Sequence, residues 1–167
     1  MSCSSPFRGD RASPDPTDGA AADPEDVAPL LLQATPMGVR AALSEMRARF
    51  NYPLPAAGTL GMAETVLAEV LNNIVEHAYG STGTGEIELR MARAGTWLRV
   101  DVRDYGTEMP DGKLPGGSLP GTESGLDGPP EGGFGWFLIR AFARDLHYQR
   151  VEGANRLTFS VPLCEEL

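Results

Sequence analysis

Three polar residues stand one helical turn apart in the segment AEVLNNIVEHAYG, residues 68–80: Glu69, Asn73 and His77. At about 100° per residue they share one side of a helix, and the opposite side carries the apolar residues of the same segment. Surface helices normally carry Lys, Gln or Ala, and asparagine is a poor helix former. A carboxylate and a carboxamide one turn apart could bind Mg²⁺ through oxygen, and the carboxylate could act as a general base. An ordinary solvated helix surface is the alternative interpretation.

A second candidate lies at the end of the pattern LRVDVRDYG, where Asp104 follows alternating apolar residues and Gly106 comes two residues later. The aspartate could accept a hydrogen bond from a ligand, and the glycine would let that ligand approach the backbone. An Asp-x-Gly turn between two elements is also common, so this signal is weak by itself.

A third candidate is the run EGGFGWFLIR, which places Gly133 and Gly135 at the start of an apolar helix. Free backbone N–H groups at a helix start form a phosphate site, although a flexible loop joining the helix would look the same. The preceding tract, residues 110–133, holds eight glycines and five prolines, which predicts a mobile loop rather than a packed element.

The elements that must position these residues follow from periodicity. The run PLLLQATP predicts a strand, and Pro36 to Arg49 predicts a helix with Val39, Leu43 and Met46 on its core side. A second helix is predicted from Leu60 to Tyr79, ending at Gly80. Two hairpins are expected, one turning at Ala94-Gly95 and one at Gly153-Ala154-Asn155. The third helix, residues 134–145, is so apolar that we expect it to be mostly buried.

Composition limits the class of protein. The 167 residues suffice for one domain with a core, and the net charge of −9 argues against nucleic-acid binding. Of the two cysteines, Cys3 and Cys164, the first lies in the predicted tail, so we expect no structural disulfide. The sequence shows no secretory signal and no apolar run long enough to span a membrane. We therefore expect a cytoplasmic protein that binds neither membrane nor nucleic acid, with a disordered tail over residues 1–28 and a folded domain over 29–167.

The helix motif, the Asp-x-Gly turn and the glycine run follow one another in the order found in the GHKL (Bergerat-fold) ATPases. The chain resembles this family, and within it the small anti-sigma-factor serine/threonine kinases of the RsbW and SpoIIAB type. EVLNNIVEHAY resembles the N box of the family, VRDYG its first glycine box, and GGFGWFLIRAFARDLHYQR its second. The resemblance covers about residues 30–164. It implies an α/β two-layer sandwich, with a mixed, largely antiparallel sheet covered on one face by helices.

The resemblance also implies a site for ATP and Mg²⁺. Glu69 would be the catalytic base, and Asn73 would be the Mg²⁺ ligand. Asp104 and Gly106 would bind adenine, Gly133 and Gly135 would bind phosphates, and residues 110–132 would form a lid over the nucleotide. Three further residues would contribute to the same site: His77 as pocket wall, Lys113 as the lid cation and Thr158 near the adenine.

The implied function is phosphorylation of a STAS-domain antagonist by a kinase that also sequesters a sigma factor, as a possible homodimer. Arg40 and Arg47, about 20° apart on the first helix, are candidate partner-binding residues, although arginines also belong on ordinary solvated helices. The alternative is a non-catalytic binding module regulated by nucleotide. It is favoured by Glu108, which stands where the family's first box has a second glycine, and by the presence of Lys113 as the single cation of the lid.

Overall fold

The computed structural model describes residues 22–50, 61–117 and 133–163. The strands are β1 (Leu30–Gln33), β2 (Glu86–Ala94), β3 (Trp97–Asp104), β4 (Arg144–Val151) and β5 (Ala154–Pro162). The helices are α1 (Pro36–Phe50), α2 (Gly61–Asn73) and α3 (Gly133–Phe142). A π-helical turn, Ile74–Ala78, continues α2, and short 3₁₀ turns lie at Pro24–Asp26 and Pro110–Gly112. None of the described helices is long and apolar enough to cross a membrane.

The five strands form one sheet in the order β1-β2-β3-β5-β4. Each neighbouring pair is antiparallel, so the described sheet contains no parallel pair where a mixed sheet was expected. The helices cover one face, which confirms the predicted two-layer α/β sandwich. We call the other face of the sheet the open face.

Alternation along the strands builds the core. Residues of β2, β3 and β5 that point toward the helices are buried, while their neighbours along each strand point to the open face. The largest fully buried side chains come from both layers: Met46, Leu67, Leu71, Ile87, Leu89, Leu98, Ile139 and Leu163. This core holds α2 against the sheet and so fixes the height and rotation of its polar side.

The second predicted helix lies where the sequence predicts it, but its last turn is π-helical instead of α-helical. The α-helix ends at Asn73, and the chain continues as the π turn, where the N–H of Tyr79 donates to the carbonyl of Ile74 at 3.2 Å. Gly80 then takes the expected left-handed conformation, with φ of 58°. Single π turns inside helices are frequent at functional sites.

The expectation that α3 is mostly buried is wrong. Trp136 and Ile139 are buried, but Phe134 is 61% exposed, and Phe137 and Leu138 are only half-buried. A helix in the outer layer of a two-layer fold packs through one side alone. Its apolar composition therefore did not imply burial on all sides.

Three boundaries also differ from prediction. The hairpins turn at residues 95–96 and 152–153, one or two residues before or after the predicted positions. The predicted tail reaches residue 28, but its last residues are ordered, because Pro24 is buried and Asp23 caps the 3₁₀ turn through the N–H of Glu25. Residues 1–21, together with the tract 118–132, lie outside the described residues.

Candidate nucleotide-binding site

A cavity of about 400 Å³ opens between α2, the loop after β3, α3 and the strands β4 and β5. Its lining residues combine apolar walls with a few polar groups: Val70, Asn73, Ile74, His77, Ala78, Asp104, Thr107, Glu108, Met109, Pro110, Pro115, Trp136, Tyr148, Asn155 and Leu157. This size and composition are typical of small-molecule sites.

The polar side of α2 lies along one wall of this cavity. Asn73 is buried, and its side-chain nitrogen has no hydrogen-bond partner among the described residues. His77 lines the cavity but is exposed. Because buried amides normally have partners, the N–H groups of Asn73 are available to donate to a ligand in the cavity.

Glu69 lies beside the cavity, against the start of α3. A Cβ placed on Gly135 would stand 2.6 Å from Oε2 of Glu69 and 3.7 Å from Nδ2 of Asn73. The structure therefore brings Glu69, Asn73 and Gly135 together, although 62 or more residues of sequence separate Gly135 from the other two. Gly133 is the first residue of the same helix.

The loop after β3 packs against the π turn. The N–H of Thr107 donates to the carbonyl oxygen of Ala78 at 2.8 Å. A Cβ on Gly106 would collide with that same oxygen and with the carbonyl carbon of Ala78. Gly106 is thus required for close approach of two backbone segments of this chain, whereas the sequence argument had assigned that approach to a ligand.

Asp104 is buried at the bottom of the cavity, with 4% of its surface exposed. Its Oδ1 accepts hydrogen bonds from the N–H of Gly106 at 2.9 Å and from Nδ2 of Asn155 at 2.8 Å. No described residue donates to Oδ2. Burial raises the pKa of Asp104 above its usual range, and the hydrogen bonds from Asn155 and Gly106 and the charge of Arg150 partly oppose this shift.

Asn155, which the sequence argument missed, connects Asp104 to its surroundings. Its Nδ2 also donates to the carbonyl of Thr107 at 3.0 Å, and its Oδ1 accepts from the hydroxyl of Tyr148 at 2.7 Å and from Nη1 of Arg150 at 2.8 Å. Both N–H groups and both acceptor positions of the amide are therefore used. The available signal was alternation along β5, because Asn155 shares a face with the buried residues Leu157 and Phe159.

These contacts define what the cavity can bind. A free carboxylate oxygen at the bottom of an apolar slot accepts a hydrogen bond from an amine. The nearby walls, Met109, Trp136 and Leu157 among them, suit a flat ring. A purine that carries an exocyclic amine meets both requirements.

Thr158 does not belong to this cavity. It pairs with Asp101 and His147 across the sheet and lies on the open face, where it lines a separate cavity of about 300 Å³. Thr158 comes three positions after Asn155 in the strand, an odd interval, so the two side chains point to opposite faces. The expected contact of Thr158 with adenine is therefore wrong, and Asn155 occupies the corresponding place beside Asp104.

The described part of the predicted lid, residues 110–117, is held at the edge of the cavity. Pro110 and Pro115 line it, whereas Lys113 is exposed and does not. Arg140 of α3 fixes this segment, with Nε and Nη2 donating to the carbonyl of Pro115 at 3.2 and 3.1 Å. Glu108 lines the cavity and adds a negative charge to it.

The two candidate partner residues on α1 differ in their surroundings. Arg47 pairs with Glu64 of α2, and this contact raises its pKa further. Arg40 is exposed, and no described residue pairs with it. Arg40 is thus the more available of the two for a partner.

Comparison with known proteins identifies the class to which this fold and site belong. The family model of the histidine kinase-like ATPase domain matches residues 20–161. The chain belongs to this family, as the resemblance to the GHKL ATPases implied, and it is a kinase-type ATPase domain.

Two curated relatives are kinases by name. The chain is 30% identical to blue-light-activated histidine kinase 2 of Erythrobacter litoralis over 121 residues, which cover 70% of this chain and 30% of the relative. It is 33% identical to the serine/threonine-protein kinase BtrW of Bordetella bronchiseptica over 93 residues, which cover 55% of this chain and 63% of BtrW. The matches thus span less than two thirds of either relative.

A solved structure shares the fold. The RsbU and RsbW domains of Rv1364c from Mycobacterium tuberculosis match with a TM-score of 0.51 and 17% identity, covering 84% of this chain and 34% of that one.

The residues present fit a Mg²⁺ ion that takes most of its ligands from a nucleotide. No group of three or more His, Cys, Asp or Glu among the described residues could hold a metal alone. The buried amide of Asn73 offers an oxygen ligand, which Mg²⁺ prefers, and Mg²⁺ is usually bound by one or two protein groups plus phosphates.

Proposed function

We propose that the protein is an ATP-dependent protein serine/threonine kinase of the anti-sigma type. The observation that carries this proposal is the single cavity that has the free oxygen of Asp104 at its bottom and Asn73 in its wall, with Glu69 beside it. The ATPase family and the name of BtrW, a serine/threonine-protein kinase, support it.

Each end of the cavity has its own role in this proposal. Asp104 accepts a hydrogen bond from the amino group of adenine, and the backbone of Gly133 and Gly135 binds phosphates at the start of α3. Asn73 would hold Mg²⁺, which would supply neutralisation of the phosphate charge. His77 forms part of the cavity wall. Lys113 is the proposed cation of the lid, and because it does not line the cavity, it would reach the phosphates only if the lid segment moved toward them.

Glu69 is the proposed general base that accepts the proton of the attacking hydroxyl. Phosphoryl transfer requires mainly positioning and charge neutralisation, so one base, one amide ligand and one metal ion suffice. The closeness of Glu69 to Gly135 supports this assignment, because a base acting on the attacking hydroxyl must lie near the proposed phosphate site.

The proposed protein substrate is a STAS-domain antagonist, and the second proposed partner is a sigma factor, with the kinase acting as a homodimer in the cytoplasm. These assignments rest on the resemblance to the RsbW and SpoIIAB kinases. The first helix, with Arg40 exposed, is the proposed partner surface.

A nucleotide-regulated binding module without catalysis is the second candidate. Glu108 favours it, because a carboxylate in the wall of the cavity repels a triphosphate. In that case ATP would organise the surface that sequesters a partner, and no phosphate would be transferred.

The test measures phosphoryl transfer from labelled ATP to a purified STAS-domain protein. It compares the wild type with the variants Glu69→Gln and Glu76→Gln. Glu76 is an exposed carboxylate on the same side of the helix and serves as the matched control. We expect Glu69→Gln to bind ATP within a few-fold of wild type and to transfer phosphate about 10²–10⁴ times more slowly, and Glu76→Gln to behave as wild type.

Three outcomes would redirect the assignment. Transfer at the wild-type rate by Glu69→Gln would remove the base from the scheme. ATP binding without any transfer would favour the binding module. An acid-labile phosphate on the product would indicate phosphohistidine instead of the acid-stable ester of serine or threonine, and would align the chain with the histidine kinase relative.

A further inference from the structure

The open face of the sheet is unusually basic for a protein with a net charge of −9. The register places five arginines on this face: Arg90, Arg99, Arg103, Arg144 and Arg156. The strands place three carboxylates on the same face, Glu86 and Glu88 of β2 and Asp101 of β3, and Asp145 lines the cavity beside Arg99. With five arginines against four carboxylates, the sheet alone carries a small surplus of positive charge on this face.

An acidic segment of the same chain lies on this face. The 3₁₀ turn Pro24–Asp26, with Asp23 before it, supplies three carboxylates in four residues. Pro24 is buried, and Glu25 forms an ion pair with Arg156. The segment thus neutralises part of the arginine surface on which it packs.

Arg156, which pairs with Glu25, is also held by Asp101 of the sheet. Asp101 is 1% exposed, and it accepts from Nη2 of Arg156 at 2.8 Å and from Nε at 3.2 Å. This two-point contact holds the guanidinium plane in place, and Arg103 adds a longer ion pair to the same carboxylate at 3.9 Å. The receptor for the acidic turn is therefore organised by the sheet and does not depend on the turn.

The turn itself is held weakly. The side chain of Glu25 is 60% exposed, and an ion pair so open to solvent contributes only about 0–1 kcal/mol. A cavity of about 300 Å³ continues beside the turn, lined by Arg99, Thr158 and Ser160, with Asp145 at its rim. Within the described residues Arg99 makes no ion pair or side-chain hydrogen bond, so a cation and two hydroxyl groups remain available there.

We propose that the open face is a docking surface for an acidic segment of a partner protein, and that Asp23–Asp26 occupies this surface in cis and competes with the partner. The surface lies on the opposite side of the sheet from the nucleotide cavity. Its occupant can therefore change without direct contact with the nucleotide, and the proposal is independent of the proposed kinase activity.

The test uses the full chain with Pro24→Gly and Glu25→Gln together, which removes the buried anchor and the ion pair of the turn. The probe is a fluorescent peptide with the sequence of residues 22–29, and a second peptide carries amides in place of its three carboxylates. Glu45→Gln, which removes one carboxylate from the helix side of the molecule, is the matched control. Binding is measured by fluorescence anisotropy at low salt.

We expect the doubly substituted chain to bind the acidic peptide several-fold more tightly than the wild type and the Glu45→Gln chain. Added salt should weaken this binding, and Arg99→Gln in the same background should weaken it several-fold. The amide peptide should not bind. Equal binding to the wild type, or equal binding of the two peptides, would overturn the proposal.

A second measurement applies if the doubly substituted chain does not fold. Titration of the ¹⁵N-labelled wild type with the acidic peptide should then shift the amide signals of Arg99, Thr158 and Ser160, and should leave those of α1 unchanged. No shift on the open face at millimolar peptide would overturn the proposal. Dimerisation of the released chain without peptide binding would also overturn it, because the occupant would then be a second copy.

Discussion

The carboxyl group of Asp104 is buried at the bottom of the cavity, with only one of its two oxygens hydrogen-bonded by described residues. Its Oδ1 is used by the protein, while its Oδ2 receives no hydrogen bond from a described residue. Burial raises its pKa, so the folded chain disfavours the ionised form that a ligand amine needs. A carboxylate kept in this position is typical of a group retained for function.

The raised pKa of Asp104 predicts a pH dependence. The folded chain binds the proton more tightly than the unfolded chain, so the free energy of unfolding falls as pH rises through the window above the usual value of 3.8. Asp104→Asn should therefore raise the melting temperature at pH 7, and its advantage should shrink as pH falls through that window. Thermal unfolding at several pH values measures this. A melting temperature below wild type at pH 7 would contradict the prediction.

Asp104→Asn should also lower ATP affinity at least tenfold, because the amide would keep its oxygen on Gly106 and Asn155 and turn an N–H group toward the adenine amine. This corresponds to the loss of a charge-assisted hydrogen bond, about 1.5–3 kcal/mol. Calorimetric titration with ATP checks it. Unchanged affinity would mean that adenine does not meet Asp104.

Asn155→Ala should weaken ATP binding by about tenfold, since it removes one donor from Asp104 and frees Tyr148 and Arg150. The hydrogen bond from Asn155 lowers the pKa of Asp104. Its loss should therefore raise that pKa and move the pH midpoint of ATP binding upward. Titrations between pH 5 and 8 measure both effects, with the exposed Gln33→Ala as control. A lower affinity with an unmoved midpoint would indicate a purely structural role.

At the scale of elements, two close approaches assemble the site. The loop after β3 touches the π turn at Gly106, and α3 touches α2 at Gly135. The two contacts differ in what a side chain would meet. At Gly106 the obstacle is the backbone of Ala78, whereas at Gly135 it is the flexible end of Glu69.

This difference predicts unequal effects of the same substitution. Gly106→Ala should destabilise the fold by about 1–3 kcal/mol, the usual cost of overpacking, and should reduce ATP binding because it displaces the Asp104 loop. Gly135→Ala should leave stability within about 1 kcal/mol of wild type, since alanine favours a helix, while it displaces Glu69 and lowers phosphoryl transfer. Urea unfolding and transfer assays measure both. Equal destabilisation by the two substitutions would contradict the difference in packing.

At the scale of the whole molecule, the two outer surfaces carry different chemistry. The helix side presents the nucleotide cavity, and α1 presents Arg40 in the open while Arg47 is paired with Glu64. The opposite side is the open face of the sheet with its arginines and the acidic turn. In our proposals, the nucleotide and the protein partners therefore bind to separate surfaces of one domain.

We predict that Arg40→Glu weakens binding of the STAS-domain or sigma-factor partner by more than about 1.4 kcal/mol, tenfold in affinity, and leaves ATP binding unchanged. Arg49→Glu is the control, because Arg49 belongs to the same helix and its Nε is 2.5 Å from Glu45 within that helix. Titration of each variant with the purified partner measures the effect. Equal loss by both variants would indicate a general charge effect instead of a contact at Arg40.

The sequence by itself determined the family, the two-layer fold and the positions of most elements. Hydrophobic periodicity and turn residues are local signals, and the spacing of the helix motif, the Asp-x-Gly turn and the glycine run is readable along one chain. The resemblance that these motifs carry implied that Asn73, His77 and Asp104 share one site, and the cavity contains all three.

The tertiary structure alone decided which neighbours complete that site. Asn155, the partner of Asp104, lies 51 residues away in sequence, and Arg156, the partner of Glu25, lies 131 residues away. Local sequence patterns carry no information about contacts at such separations. The face on which Thr158 lies depends on the phase of β5, and a shift of one residue reverses it. The exposure of Phe134 and the π turn after Asn73 likewise depend on packing between elements. The sequence shows which residues of a helix are apolar, but not which face of that helix another element covers.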